Sequence, residues 1–105
     1  MYGLLDRDIK YIKEAIKMYP EIDEVIIFGS RAMGNYKKGS DVDIALKGQN
    51  INRRTVTRLA DDLNEKYPLP YFFDVINYND ILNEELKKHI DNIGKIIFKN
   101  NMLTQ

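Results

Sequence analysis

The apolar run Glu24-Val25-Ile26-Ile27-Phe28 is cut by Gly29-Ser30, and a second run opens at Asp41-Val42-Asp43-Ile44, where carboxylates alternate with branched apolar residues. The first run predicts a short strand, and the Gly-Ser break predicts that the chain turns there into a helical segment. Gly29 has no Cβ, so the backbone can approach a ligand closely. At a strand-to-helix junction the free N–H groups point outward and favour negative charge, and the Ser30 hydroxyl adds a further donor. A phosphate is the expected guest. In the second run Asp41 and Asp43 project from one face of a strand while Val42 and Ile44 enter the core on the other. Two carboxylates so placed can share a cation. Hard oxygen ligands suit Mg²⁺, which takes one or two carboxylates and completes its octahedron with water and substrate phosphate. Taken alone, Gly-Ser is an ordinary turn and Asp-x-Asp an ordinary solvated strand face. Their succession, each tied to an apolar run, points to a nucleotide site.

Composition narrows the setting. A chain of 105 residues is one domain's worth, 1–105, with no room for a catalytic domain beside a separate substrate domain. Any acceptor is then met at the surface. The 16 basic and 16 acidic side chains cancel, so no overall field draws in an extended nucleic acid or an acidic membrane. A nucleoside triphosphate can still be held by a local cluster of cations or by a bound metal. The absence of cysteine removes disulfides and thiolate metal sites, and a single histidine leaves little scope for zinc. Catalysis is therefore expected to rest on carboxylates. No apolar stretch reaches transmembrane length, and the N-terminus mixes acidic and polar residues among its apolar ones, so a cytoplasmic protein is expected.

Periodicity supplies the remaining elements. Leu5, Ile9, Ile12, Ile16 and Tyr19 share a helical face over about 6–19, stopped by Pro20. Strands are predicted at 24–28 and about 41–47, the second closed by Gly48. Asn50 or Asn52 can cap a helix carrying Val56, Leu59, Ala60, Leu63 and Tyr67, which Pro68 and Pro70 end. Tyr71-Phe72-Phe73-Asp74-Val75-Ile76 reads as a third strand. A last helix, opened by Asn77 or Asn79 and striped by Leu82, Leu86, Ile90 and Ile93, ends at Gly94 before a short strand Lys95-Ile96-Ile97-Phe98. Alternating strands and helices in so short a chain imply an α/β (α+β) fold with helices packed against one sheet.

Asp74 is the unexpected charge. An ionised carboxylate in an apolar strand is costly unless it stands at an exposed edge or meets a cation. Beside Asp41 and Asp43 it would supply a third metal ligand, as a phosphoryl or nucleotidyl transfer centre needs, with two ions about 3.5–4 Å apart. Gly29-Ser30, Asp41-Val42-Asp43 and the later Asp74 together resemble the signature of the DNA polymerase β-type nucleotidyltransferase superfamily, and the short chain resembles its minimal nucleotidyltransferase (MNT) branch. The resemblance covers nearly the whole chain, from the leading helix to the final strand. It implies a nucleotidyltransferase fold with a small mixed, twisted sheet and helices on one side. It further implies that Ser30 contacts a triphosphate, ATP or another NTP, and that Asp41, Asp43 and Asp74 hold two Mg²⁺ ions. Members of this branch are typically paired with a helical HEPN-domain protein in an arrangement similar to toxin–antitoxin pairs, and some transfer AMP to a tyrosine hydroxyl of that partner.

Where the family's turn often has a second arginine, this chain has Met33, leaving Arg31, Lys37 and Lys38 as the nearby cations. Arg31 is either a phosphate contact or a surface charge. Lys37 and Lys38 read as a solvated loop, Tyr36 as a base-stacking or a structural ring, and His89 as exposed and uninvolved. The first expectation is a Mg²⁺-dependent transfer of a nucleoside monophosphate to a protein hydroxyl, with Asp41, Asp43 and Asp74 catalytic and Gly29, Ser30 and Arg31 cradling the triphosphate. The alternative is a non-catalytic antitoxin that neutralises a HEPN partner by covering it. A small-molecule nucleotidyltransferase is disfavoured because no second domain is present to cradle that acceptor. The acceptor, the choice of triphosphate and the oligomeric state, homo- or hetero-oligomeric, have no motif in the chain. An apolar contact patch is expected from Tyr2, Leu4, Leu5 and Tyr11 or from Met102 and Leu103.

Overall fold

Alternation along the strands sorts the apolar residues into two cores. In β1 (Glu24–Phe28), Val25 and Ile27 enter one core while Ile26 and Phe28 enter another. The same parity holds in β2 (Val42–Lys47), where Val42, Ile44 and Leu46 face the first core and Ala45 the second. The protein, described here over residues 1–100 as a computed structural model, contains these strands together with α1 (Asp6–Lys17), α2 (Ser30–Met33), α3 (Arg53–Asp61), β3 (Phe73–Asn77), α4 (Glu84–Ile93) and β4 (Lys95–Lys99). A π-helical turn, Asp62–Lys66, prolongs α3, and a 3₁₀ turn, Tyr78–Asp80, follows β3. The sheet order is β3-β2-β1-β4, with β1 antiparallel to both of its neighbours and β2 parallel to β3. That one parallel pair needs a long crossover, which α3 provides.

The expected mixed sheet is present, and its larger core lies under α1 and α3. Ile12 and Ile16 of α1, Leu59 of α3 and Leu63 pack there on Val25, Ile44 and Phe73. Helices on one side only is the part of the expectation that needs correcting. Ile90 of α4 packs with Ile26, Phe28 and Ala45 on the opposite face, flanked by the partly buried Leu86 and Ile76. The apolar parity of β1 requires this, because Ile26 and Phe28 would otherwise be left in water.

The predicted strands at 24–28 and 41–47 lie within a residue of β1 and β2. The third starts two residues later than expected, at Phe73. Asn52 caps α3, accepting from Thr55 N at 3.0 Å. The last helix starts later than its periodicity suggested. Asn77 caps only the 3₁₀ turn, accepting from Asn79 N, and Asn83 caps α4, accepting from Leu86 N at 3.0 Å. Leu82 therefore leaves the proposed stripe and is 94 % exposed. Gly94 follows α4 as expected, and a Cβ there would lie 2.4 Å from the Ile90 carbonyl and 2.6 Å from Ile26. Of the expected contact residues, Leu4 is buried and Leu5 is exposed, with Tyr2 and Tyr11 partly buried against the main core. Met102 and Leu103 lie outside the described residues. Among those residues no helix is long and apolar enough to cross a membrane.

Candidate active site at the carboxylate pair

Parallel pairing of β2 with β3 sets Asp43 directly beside Asp74, and antiparallel pairing of β1 with β2 sets Phe28 opposite Asp43. The carboxylate pair thus stands next to the β1–α2 turn. Parity puts Asp43 on the Ala45 face of the sheet, the face covered by α4. Asp43 is half-buried, Asp74 is exposed at the edge strand, and Asp41 is exposed in the residue just before β2. Burial, followed by the negative charges of Asp74 and Asp41, pushes the Asp43 carboxyl above its ordinary range. Asp43 is therefore repelled by both of the other carboxylates.

Gly29 shapes the other wall. Its backbone has φ +74°, and a Cβ there would lie 2.4 Å from Asp43 Oδ2. The carboxylate rests against bare backbone in a conformation that favours glycine. Ser30 follows as the first residue of α2 and is half-buried. Among the described residues, no group of three or more His, Cys, Asp or Glu side chains forms a ready metal-holding cluster. The donor chemistry nevertheless suits a hard divalent cation. Asp43 and Asp74 give an all-oxygen pair under mutual repulsion, and Mg²⁺ needs only one or two protein carboxylates beside water and phosphate. Such an ion would be held by Asp43 and Asp74, with Asp41 adding its charge from the loop.

Arg31, expected either as a phosphate contact or as a surface charge, is buried rather than at the surface. It is only 3 % exposed, and its guanidinium donates to the backbone carbonyls of Ser40 (2.7 Å), Tyr2 (2.9 Å) and Asp41 (3.3 Å). It lies over the rings of Tyr71 and Tyr36, at 4.9 and 5.3 Å from their centroids. An arginine can enter the interior in this way because its fork is satisfied by carbonyls and its flat faces by rings. Arg31 thus binds the loop that carries Asp41. The Tyr36 ring meets the Arg31 guanidinium and, like Lys37, Lys38 and Met33, is exposed.

Two further residues bear on the site, His89 against expectation and Asn64 without any. His89, expected to be exposed and uninvolved, is half-buried and accepts a hydrogen bond from Gly29 N at Nε2, 2.8 Å away. A readable signal existed, because His89 lies three residues after Leu86 and next to Ile90, on the sheet-facing side of α4. Asn64, in the π-helical turn, brackets the residue before Asp74: its Oδ1 accepts from Phe73 N at 2.7 Å and its Nδ2 donates to Phe73 O at 3.1 Å. An apolar cleft lined by Val56, Ile76, Ile81 and Leu86 also opens beside α4, but it contains none of the three carboxylates.

Known proteins resemble the chain mainly in fold. No curated protein matches its sequence. One solved structure, a toxin–antitoxin with AMP-PNP, superposes with a TM-score of 0.74 at 20 % identity, over 93 % of this chain and 77 % of that one. A complex of tri-AMPylated Shewanella oneidensis HEPN toxin with MNT antitoxin gives 0.69 at 17 % identity, over 99 % and 77 %. A putative nucleotidyltransferase from Sulfolobus solfataricus gives 0.56 at 22 % identity, over 89 % and 78 %. These likenesses establish the nucleotidyltransferase fold. The family described as Polymerase beta, Nucleotidyltransferase matches residues 10–102. With its paired strand carboxylates and the glycine turn beside them, the chain belongs to that nucleotidyltransferase family.

Proposed function

We propose that this protein is a divalent-metal-dependent nucleotidyltransferase that moves AMP, or another nucleoside monophosphate, from a nucleoside triphosphate to a hydroxyl on a HEPN-domain partner, as the antitoxin of a toxin–antitoxin pair in the cytoplasm. The observation that carries the reading is the register pairing of Asp43 with Asp74, with the Gly29 backbone against Asp43. The matches to a toxin–antitoxin solved with AMP-PNP and to a complex of an AMPylated HEPN toxin with an MNT antitoxin support the choice of nucleotide and partner.

Bound divalent ions supply charge neutralisation of the triphosphate and a lower pKa for the attacking hydroxyl. The chain's own residues do the rest. Asp43 and Asp74 hold the ion or ions, and Asp41 adds negative charge at the rim. The Gly29-Ser30 turn holds the triphosphate through backbone N–H and the Ser30 hydroxyl. The acceptor oxygen attacks the α-phosphorus in line, the bond to the β-phosphate oxygen breaks and pyrophosphate leaves. Asp74, exposed at the edge strand, faces the incoming acceptor and takes its proton on a carboxylate oxygen. Positioning and electrostatics provide the acceleration.

The second reading is an antitoxin that acts by covering its partner, and it draws on the absence of a ready three-ligand metal cluster among the described residues. One experiment separates the two. The protein is incubated with its HEPN partner, labelled ATP and Mg²⁺ or Mn²⁺. Transfer is expected to label the partner, and Asp74→Asn is expected to abolish labelling while complex formation persists. A partner that is silenced without incorporation from any of the four triphosphates selects the binding module.

A further inference from the structure

The one histidine in this chain stands where α4 crosses the β1–α2 turn, and its Nε2 accepts the Gly29 N–H at 2.8 Å. An Nε2 that accepts belongs to a neutral ring carrying its proton on Nδ1, so this nitrogen is not available as a proton donor to substrate. The ring also meets Phe28 edge-on, with centroids 6.2 Å apart and planes at 77°. Phe28 is the register partner of Asp43, and the Gly29 backbone at φ +74° is the surface on which Asp43 Oδ2 rests. One side chain on α4 therefore holds both residues that wall in Asp43. The remainder of α4 grips the sheet through Ile90, which is 2 % exposed and lies one residue further along the helix.

We infer that His89 is a positioning residue for nucleotidyl transfer: by accepting the Gly29 amide it fixes the turn against Asp43 and so ties the geometry of the carboxylate pair to the seating of α4. The inference rests on the proposed function for its link to transfer, but the tie itself is a property of the apo protein. Without an acceptor at position 89, the Gly29 peptide loses its partner and rotates toward water. The surface under Asp43 then moves, and the cation and the triphosphate lose a preorganised wall. The acceptor function and the ring function of His89 are separable. Gln offers an acceptor without a ring, and Phe keeps the ring against Phe28 without an acceptor.

The test compares wild type, His89→Gln and His89→Phe in three measurements. Gly29 amide hydrogen exchange on the protein without nucleotide is expected to be slow in wild type and His89→Gln and at least tenfold faster in His89→Phe. Mn²⁺ affinity in the presence of a non-hydrolysable ATP analogue, by titration calorimetry, is expected to fall at least fivefold in His89→Phe and to stay within about threefold of wild type in His89→Gln. Transfer to the partner is expected to follow the same order, through kcat with little change in KM for the partner protein. The reverse order, with Phe active and Gln impaired, shows that ring packing is what matters and overturns the inference. Equal Gly29 exchange in all three proteins overturns it as well. A wild type that transfers nothing refutes the functional reading, while the exchange and Mn²⁺ orders still decide the positioning role.

Discussion

At the residue scale the site is governed by repulsion. Asp43 and Asp74 are direct neighbours in adjacent strands, and like charges so placed are destabilising by about 0.2–1 kcal/mol. Asp43→Asn is therefore expected to raise the thermal midpoint of the metal-free protein, by up to roughly 5 °C. The same change should abolish the further rise that Mn²⁺ and a triphosphate bring to wild type by mass action. A variant melting several degrees lower would mark the carboxylate as a structural acceptor. Arg31 poses the opposite case, a buried cation held by carbonyls and rings. Lysine keeps the charge but cannot reach Ser40, Asp41 and Tyr2 together, so Arg31→Lys is expected to cost about 2–4 kcal/mol in urea unfolding. Wild-type stability combined with weakened triphosphate affinity would instead make Arg31 a ligand residue. The sequence exposed the carboxylates because their alternation with Val42 and Ile44 follows directly from strand parity. It hid the role of Arg31, because a fork satisfied by distant carbonyls leaves no local pattern.

At the element scale, regular periodicity was readable and irregular geometry was not. β1 and β2 were legible because each combines branched residues with a clear break, at Gly29 and Gly48. The opening of α4 was misplaced because Asn77, Asn79 and Asn83 all satisfy the chemistry of a cap, and only packing decides which one begins a helix. The π-helical turn after α3 likewise has no signature of its own, although π segments recur at functional sites. Its consequence is specific. The turn presents the Asn64 amide to both backbone groups of Phe73, fixing the start of β3 and hence the height at which Asp74 stands beside Asp43. Asn64→Ala orphans that donor and acceptor and is expected to cost about 1–3 kcal/mol in chemical unfolding. Asn64→Asp, which keeps the acceptor but not the donor, is expected to fall between. Nucleotide-dependent stabilisation should weaken along the same series. A series that loses stability but keeps full nucleotide response would uncouple Asn64 from the site.

For the whole molecule, the two-faced sheet divides the work: α1 and α3 build the main core, and α4 closes the face that bears the carboxylates. The sequence showed both sets of apolar residues but not that they belong to opposite faces, since parity along β1 reads as uniformly apolar when every position is filled. A polar contact ties the segment after α1 to the π-helical turn after α3: the Tyr19 hydroxyl donates to the Asp62 carboxylate, and Lys66 Nζ lies 3.0 Å from the other Asp62 oxygen. Burial and then this bond push Tyr19 from its ordinary 10.0 up to about 12. Burial opposes ionisation of Asp62, but the Tyr19 bond and Lys66 outweigh it and hold the carboxyl below its ordinary range. The signs give two limbs. A raised tyrosine stabilises the fold fully below pH 10.0 and loses that contribution as pH climbs toward about 12. A lowered aspartate stabilises it fully above its ordinary value of 3.8 and loses that contribution as pH falls further. Tyr19→Phe removes the bond and keeps the ring, so it is expected to cost about 1 kcal/mol at neutral pH. Measured against wild type by thermal melts across the pH range, that difference should be flat in the middle, shrink on the alkaline side as Tyr19 ionises, and shrink again on the acid side as Asp62 takes up its proton. Other titrating groups are common to both proteins and cancel in the comparison. A difference that stays constant from acid to alkali would mean that the hydroxyl contributes packing alone.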